Sequence, residues 1–171
     1  MGNKQSIVGQ MTIYGPVKGD SKFDCVSVDD IGHFFACLLA GPDLAKHANK
    51  TLNCTGPDVT THDEIAKWFG ESLKKDAKAV KFVTVKPEDA LKGMVGSGWP
   101  EWQAKGVLEL YALMDKNDAA VQLVTDDFKN LVGHKSHSPS AWIGHQGHNF
   151  IPHPEEHHGK KEEAKKEEPK K

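Results

Sequence analysis

Two adjacent carboxylates, Asp29 and Asp30, stand in "VSVDDIGHFFACLLAGP", residues 26 to 42. A pair of acids does general acid–base chemistry when its surroundings drive the two pKa values apart. Adjacent residues leave a strand in opposite directions, so this pair is read as capping the next helix and tying down nearby backbone. Histidines are a second candidate. His134, His137, His145, His148, His153, His157 and His158 include H-x-x-H spacings that offer neutral imidazoles to zinc or copper. Glycines and prolines between them do not preorganise a closed shell, and no metal site is assigned. Trp99, Trp102 and Trp142 are the aromatic candidates for stacking on a ring-bearing ligand, with core packing the preferred reading. His33 has no titration partner visible in sequence and reads as a solvated or second-layer residue.

The elements that must position these residues follow from periodicity. Residues 23 to 28, "FDCVSV", alternate as a strand, and Ile31, Phe34, Phe35, Leu38 and Leu39 recur at helical spacing, predicting a helix buried along one side. Asp29 or Asp30 starts it and Gly41-Pro42 stops it. "KTLNCTGP", residues 50 to 57, reads as a strand. Thr61 and Glu64 then have capping-box spacing ahead of Ile65, Trp68, Phe69 and Leu73. Residues 79 to 85, "AVKFVTV", predict another strand, followed by a helix at Pro87. From 99 to 116 a further helix carries Trp102, Leu108, Tyr111 and Leu113 inward. A brief helix capped at Thr125 or Asp126 and a turn at "SPSAWIG" close the ordered part. Alternating strands and helices are an α/β signature.

Composition sets the outer bounds. The 171 residues, 37% of them hydrophobic, suffice for one core, and a net charge of −2 supplies no cationic field, so no nucleic-acid partner is expected. Cys25, Cys37 and Cys54 form no paired framework, and no apolar run approaches a membrane span, which predicts a cytoplasmic protein. "MGNKQS" places Gly2 and Ser6 as in an N-myristoylation signal. Membrane contact is expected only if Gly2 is acylated, in which case the chain is a lipid-tethered adaptor. Residues 1–10 are expected to be flexible. Residues 151–171 form a charged tail without large apolar side chains beyond Ile151, expected to be disordered.

In their order, "TIYGP", V-x-V-D-D-I-G, N-K-T-x-x-x-T-G-P and T-x-x-E-I-A resemble the second half of the NmrA-like proteins, an atypical branch of the short-chain dehydrogenase/reductase superfamily. "KPEDALKGMVGSGWPEWQAKGVLELYALM" and "LVTDDFKNLVGHKSHSPSAWI" are similar to the closing helices of that family, and the resemblance spans residues 10 to 143. It implies a partial Rossmann-like fold, with a small mixed or parallel sheet flanked by helices over residues 11–150. It also implies NAD or NADP as the family cofactor, and either redox-sensing regulation or reductase activity.

The glycine-rich turn that receives a pyrophosphate is missing. "GMVGSGWP", residues 93 to 100, precedes a proline-started helix instead of following a strand. Nor is the superfamily's Y-x-x-x-K pair usable. Gly15 and Pro16 interrupt the turn between Tyr14 and Lys18, and Tyr111 has Asp115 at that spacing. No catalytic residue is therefore assigned, cofactor-binding residues are left open, and no cofactor is expected to bind this chain alone. The leading expectation is a non-catalytic remnant that binds a ligand or protein partner, or self-associates through an exposed sheet edge. The alternative is a fragment of a full-length NAD(P)H-dependent oxidoreductase.

Overall fold

The computed structural model describes residues 2–42, 44–73 and 80–150. Strands and helices alternate through the first half: α1 (Gly2–Gln10), β1 (Thr12–Gly15), β2 (Lys22–Asp24), α2 (Val28–Ala40), β3 (Val59–Thr61), α3 (His62–Ser72) and β4 (Lys81–Thr84). Helices alone complete it: α4 (Pro87–Gly96), α5 (Glu101–Asp115), α6 (Asp127–Val132) and α7 (Pro139–Gln146). The architecture is α/β, as the alternation predicts, but the small sheet is split into two ladders. β1 and β4 run parallel, with Thr12 opposite Lys81 and Gly15 opposite Thr84. β2 and β3 run antiparallel, with Lys22 opposite Thr61.

Local chemistry accounts for the helix starts. Thr61 accepts the Glu64 N–H while the Glu64 carboxylate accepts the Thr61 N–H, the reciprocal capping box expected at α3. Pro87 occupies the first turn of α4, where a missing N–H costs nothing. α2 differs from expectation: Ser27 is its cap, accepting the Asp30 N–H at 3.0 Å, which frees the Asp30 carboxylate for a distant partner. Gly133, at φ +94°, ends α6 in the left-handed conformation that glycine adopts without penalty.

The main core joins Ile7, Ile13, Ala66, Phe69, Leu73, Val80 and Ile143, bringing α1, β1, α3 and α7 together with the approach to β4. A second cluster of Val17, Phe23 and Met114 lies beneath α5. Within the segment 1–10, expected to be flexible, the structure places α1. Residues 2–10 are helical because Ile7 inserts into the core, and Met11, at φ +53°, turns the chain from α1 into β1.

Four further expectations change. The apolar stripe of α2 is only partly buried: Phe34 stacks on Phe128, ring centroids 6.0 Å apart, but Phe35 and Leu39 remain 51% and 68% exposed. Its cover, α6, is only six residues long and shields just one edge of the stripe. On α5, Ala104, Tyr111 and Met114 face inward, while Trp102, 76% exposed, and Leu113 point out because they fall off that helical face.

Residues 50–57 join no ladder among the described residues. Their backbone is tied to the start of α6 instead. Asn53 N–H donates to Asp127 Oδ2 at 2.8 Å, Thr125 N–H donates to Thr55 Oγ1 at 3.1 Å, and Thr125 Oγ1 donates to the Asn53 carbonyl at 3.1 Å. A strand needs a neighbouring strand, and side chains have taken that place here. The expected strand 23–28 is likewise confined to residues 22–24, where β3 pairs with it. The charged tail, 151–171, lies outside the described residues.

Candidate functional site

In open α/β folds, ligands bind beyond the carboxyl ends of parallel strands. β1 and β4 provide such an end. Their ladder continues one step past the strands through Val85 N–H to the Gly15 carbonyl at 2.9 Å, and the chain then diverges into Pro16 on one side and α4 on the other. Glycine at position 15 leaves room for the Phe82 ring, since a Cβ would stand 2.8 Å from Phe82 Cζ. α4 and α5 pack on each other across a tight connection at Gly98, φ +90°, and close the walls. The result is a cleft of ≈ 630 Å³, within the range of about 300 to 1,000 Å³ usual for ligand pockets, lined by Tyr14, Val85, Met94, Trp99, Tyr111 and Phe150 among others.

Among the described residues no charged side chain lines this cleft, and its side-chain polar groups are the hydroxyls of Ser6, Tyr14, Ser97 and Tyr111 and the indole N–H of Trp99. Ser97 Oγ is already donated to the Gly93 carbonyl at 2.7 Å, and Tyr14 donates its hydroxyl to Gln10 Oε1 at 2.8 Å. Behind the cleft, the His62 ring packs between Phe23 and Phe82 at 4.6 and 4.7 Å, with Tyr111 at 6.0 Å. Burial pushes the Tyr111 phenol up, so it stays protonated at neutral pH. Burial also holds His62 below the usual imidazole range, against the opposing carboxylates of Asp63 and Asp115. The site is therefore a neutral, ring-walled slot. It suits holding a flat conjugated molecule.

The tryptophans do not share one surface. Trp99 lines the cleft, Trp142 borders a separate cavity on α7, and Trp102 faces outward, so the core-packing expectation gives way at all three. The glycine cluster closes the last turn of α4 and leads into α5. Ser97, Gly98 and Trp99 donate their N–H groups to the carbonyls of Gly93, Val95 and Met94, leaving none of the three to cradle a phosphate. The residues present do not fit a pyrophosphate there. Lys18 donates its backbone N–H to Asp115 Oδ1 at 2.8 Å.

Gly2 is the first residue of α1. His33 is exposed, with its ring 5.5 Å from that of His134. Among the described residues no three His, Cys, Asp or Glu side chains gather as metal ligands, and His153, His157 and His158 lie outside those residues. The cysteines are free thiols. Burial first and Asp24 second push Cys25 up to about 11, too high for a thiolate nucleophile at neutral pH. No helix among the described residues is long and apolar enough to cross a membrane.

Sequence reasoning missed Asp30 and His137 as a pair. Asp30, 1% exposed, accepts the His137 backbone N–H at Oδ2 and meets ring Nδ1 at Oδ1, both at 2.7 Å. Burial alone would raise this carboxylate, but the His137 contacts and Ser27 outweigh it and lower it. The residues are too far apart in the chain for any local signal to join them. Tyr14, Met94 and Phe150 were also missed, although a rule about strand ends could have marked Tyr14.

No family model matches the chain. It is 29% identical over 109 residues to an NAD(P)H azoreductase of Xenophilus azovorans, a match covering 64% of this chain and 36% of that protein. Among solved structures it superposes on the Citrobacter sp. triphenylmethane reductase complexed with NADP(H), with a TM-score of 0.65 and 23% identity over 85% of this chain and 47% of that one. A nucleoside-diphosphate-sugar epimerase of Staphylococcus aureus gives 0.67 and 15% over 84% of this chain and 47% of that one. An NADPH-dependent quinone oxidoreductase of Escherichia coli gives 0.63 and 16% over 84% and 49%. The chain thus spans about a third of the curated relative and about half of each of these structures. Over that span it has the Rossmann-like α/β fold found in these NAD(P)-dependent reductases.

Proposed function

We propose that this chain is the substrate-side half of an NAD(P)H-dependent oxidoreductase and that its cleft receives a flat, conjugated electron acceptor. The observation that carries this reading is the uncharged, aromatic-walled slot at the carboxyl ends of β1 and β4. The relatives support it: their names point to an azo compound, a triphenylmethane and a quinone, compounds built largely on unsaturated rings. A dinucleotide would have to be held by a segment other than this one, since the local glycine cluster has spent its amides. This reading takes the place of a non-catalytic remnant as the leading one.

Calorimetric titration of the purified chain with menadione, methyl red and malachite green tests the proposal, alongside NADPH. At least one of the three ring compounds should bind, and Trp99→Ala should weaken it by about tenfold, the scale of a lost aromatic contact with its buried area. NADPH should give no heat. Binding that ignores Trp99→Ala, or no binding of any of the three, overturns the assignment of the cleft. Tight NADPH binding by this chain alone overturns the division of labour.

A further inference from the structure

A second cavity, of ≈ 570 Å³, opens between the start of α2, the Ile65 and Phe69 face of α3, and Pro139 and Trp142 on α7. His137 lines it, with a side chain 58% exposed, although its backbone and Nδ1 are fixed on the buried Asp30. An ionised carboxylate can only accept, so the proton of the neutral imidazole lies on Nδ1. Nε2, on the far edge of the ring, is then a lone-pair acceptor whose orientation is set by the buried partner. No other hydrogen bond to this ring is found among the described residues.

We propose that this cavity is a binding site for a small neutral phenol, whose hydroxyl donates to His137 Nε2 while its ring lies against Trp142. The walls favour an aromatic body, and the accepting nitrogen demands a donor on the ligand. Asp29 at the mouth and Asp30 behind the imidazole disfavour an anion. The site is separate from the β1 and β4 cleft and stands whether or not that cleft binds electron acceptors.

The test is a titration of the isotope-labelled chain with p-cresol, toluene and 4-methylbenzoate, followed by NMR at the Trp142 indole N–H and the His137 ring. The expected result is saturable movement of both signals with p-cresol. Toluene, which keeps the shape and loses the donor, should bind about tenfold more weakly, the cost of one hydrogen bond left unmade. 4-Methylbenzoate should bind more weakly still. His137→Phe should weaken p-cresol to the level of toluene while preserving the backbone N–H to Asp30. Unchanged far-UV circular dichroism verifies that this variant folds, and the toluene comparison tests the same bond without any mutation. Equal affinity for toluene and p-cresol overturns the proposal, as does tighter binding of the benzoate. Movement confined to Trp99, which would place p-cresol in the other cleft, overturns it too.

Discussion

Asp30 and His137 meet through two contacts of 2.7 Å, one to the backbone N–H and one to the ring, and so join the first turn of α2 to the segment that leads into α7. Removing a buried carboxylate strands both partners. Asp30→Ala should cost about 2 kcal/mol in urea unfolding, within the range for removing a hydrogen-bonded charged group and leaving its partners unmatched. Asp30→Asn, which can still accept from the backbone, should lose less. A loss under about 1 kcal/mol for the alanine variant would show that the two contacts contribute no more than an ordinary hydrogen bond.

The His62 ring, boxed by Phe23, Phe82 and Tyr111, resists protonation because of its burial. The unfolded chain takes up a proton near the ordinary value of 6.5, which the folded ring refuses. Its contribution to stability is therefore fully present above that pH. It falls as pH drops below it, until the folded ring itself titrates. Between about pH 7 and pH 5 the melting temperature of the native chain should decline more steeply than that of His62→Phe. Parallel profiles would remove His62 as the cause.

Thr61 and Glu64 close the start of α3, the helix that contributes Ala66, Phe69 and Leu73 to the main core. Thr61→Ala should destabilise the fold by about 1 kcal/mol, and Thr61→Ser should be close to neutral. Denaturant midpoints with an unchanged slope would establish the size of the effect.

Phe128 is the main cover for Phe34, and it is almost wholly buried. Phe128→Ala should cost about 3 to 5 kcal/mol, as large-to-small changes of core aromatics do. Phe128→Leu should cost less. Calorimetric unfolding of both variants separates volume from ring stacking.

Val28, Phe35 and Leu39 lie seven and four residues apart, one exposed apolar line along α2, with Val28 at 82% exposure. We expect the isolated chain to associate with itself through this line and through the open edges of its short ladders. Phe35→Glu with Leu39→Glu should shift it to monomer in size-exclusion chromatography with light scattering. A native chain that is already monomeric at every concentration would count against it.

The α/β class, the capping box at α3, the proline start of α4 and the strand at β4 were legible because each depends on residues close in sequence. What was not legible depends on distant neighbours. The stripe on α2 announced a buried face, but only a tertiary partner determines which of Phe34 and Phe35 is covered. "TLNC" has strand-forming residues and stays outside the ladders because Thr125 and Asp127, not a strand, receive its backbone. The cleft escaped notice for the same reason. Tyr14, Trp99 and Tyr111 are scattered along the chain and converge only because β1 pairs with β4.

That pairing also sets an order of events during synthesis. The parallel ladder runs from Thr12 to Lys81, so its first rung cannot form until the intervening helices have left the ribosome. The early segment must wait, partly exposed, for a late one. Long waits of this kind slow folding and leave apolar surface open to wrong partners, which makes co-expressed chaperones the natural aid to obtaining this protein intact.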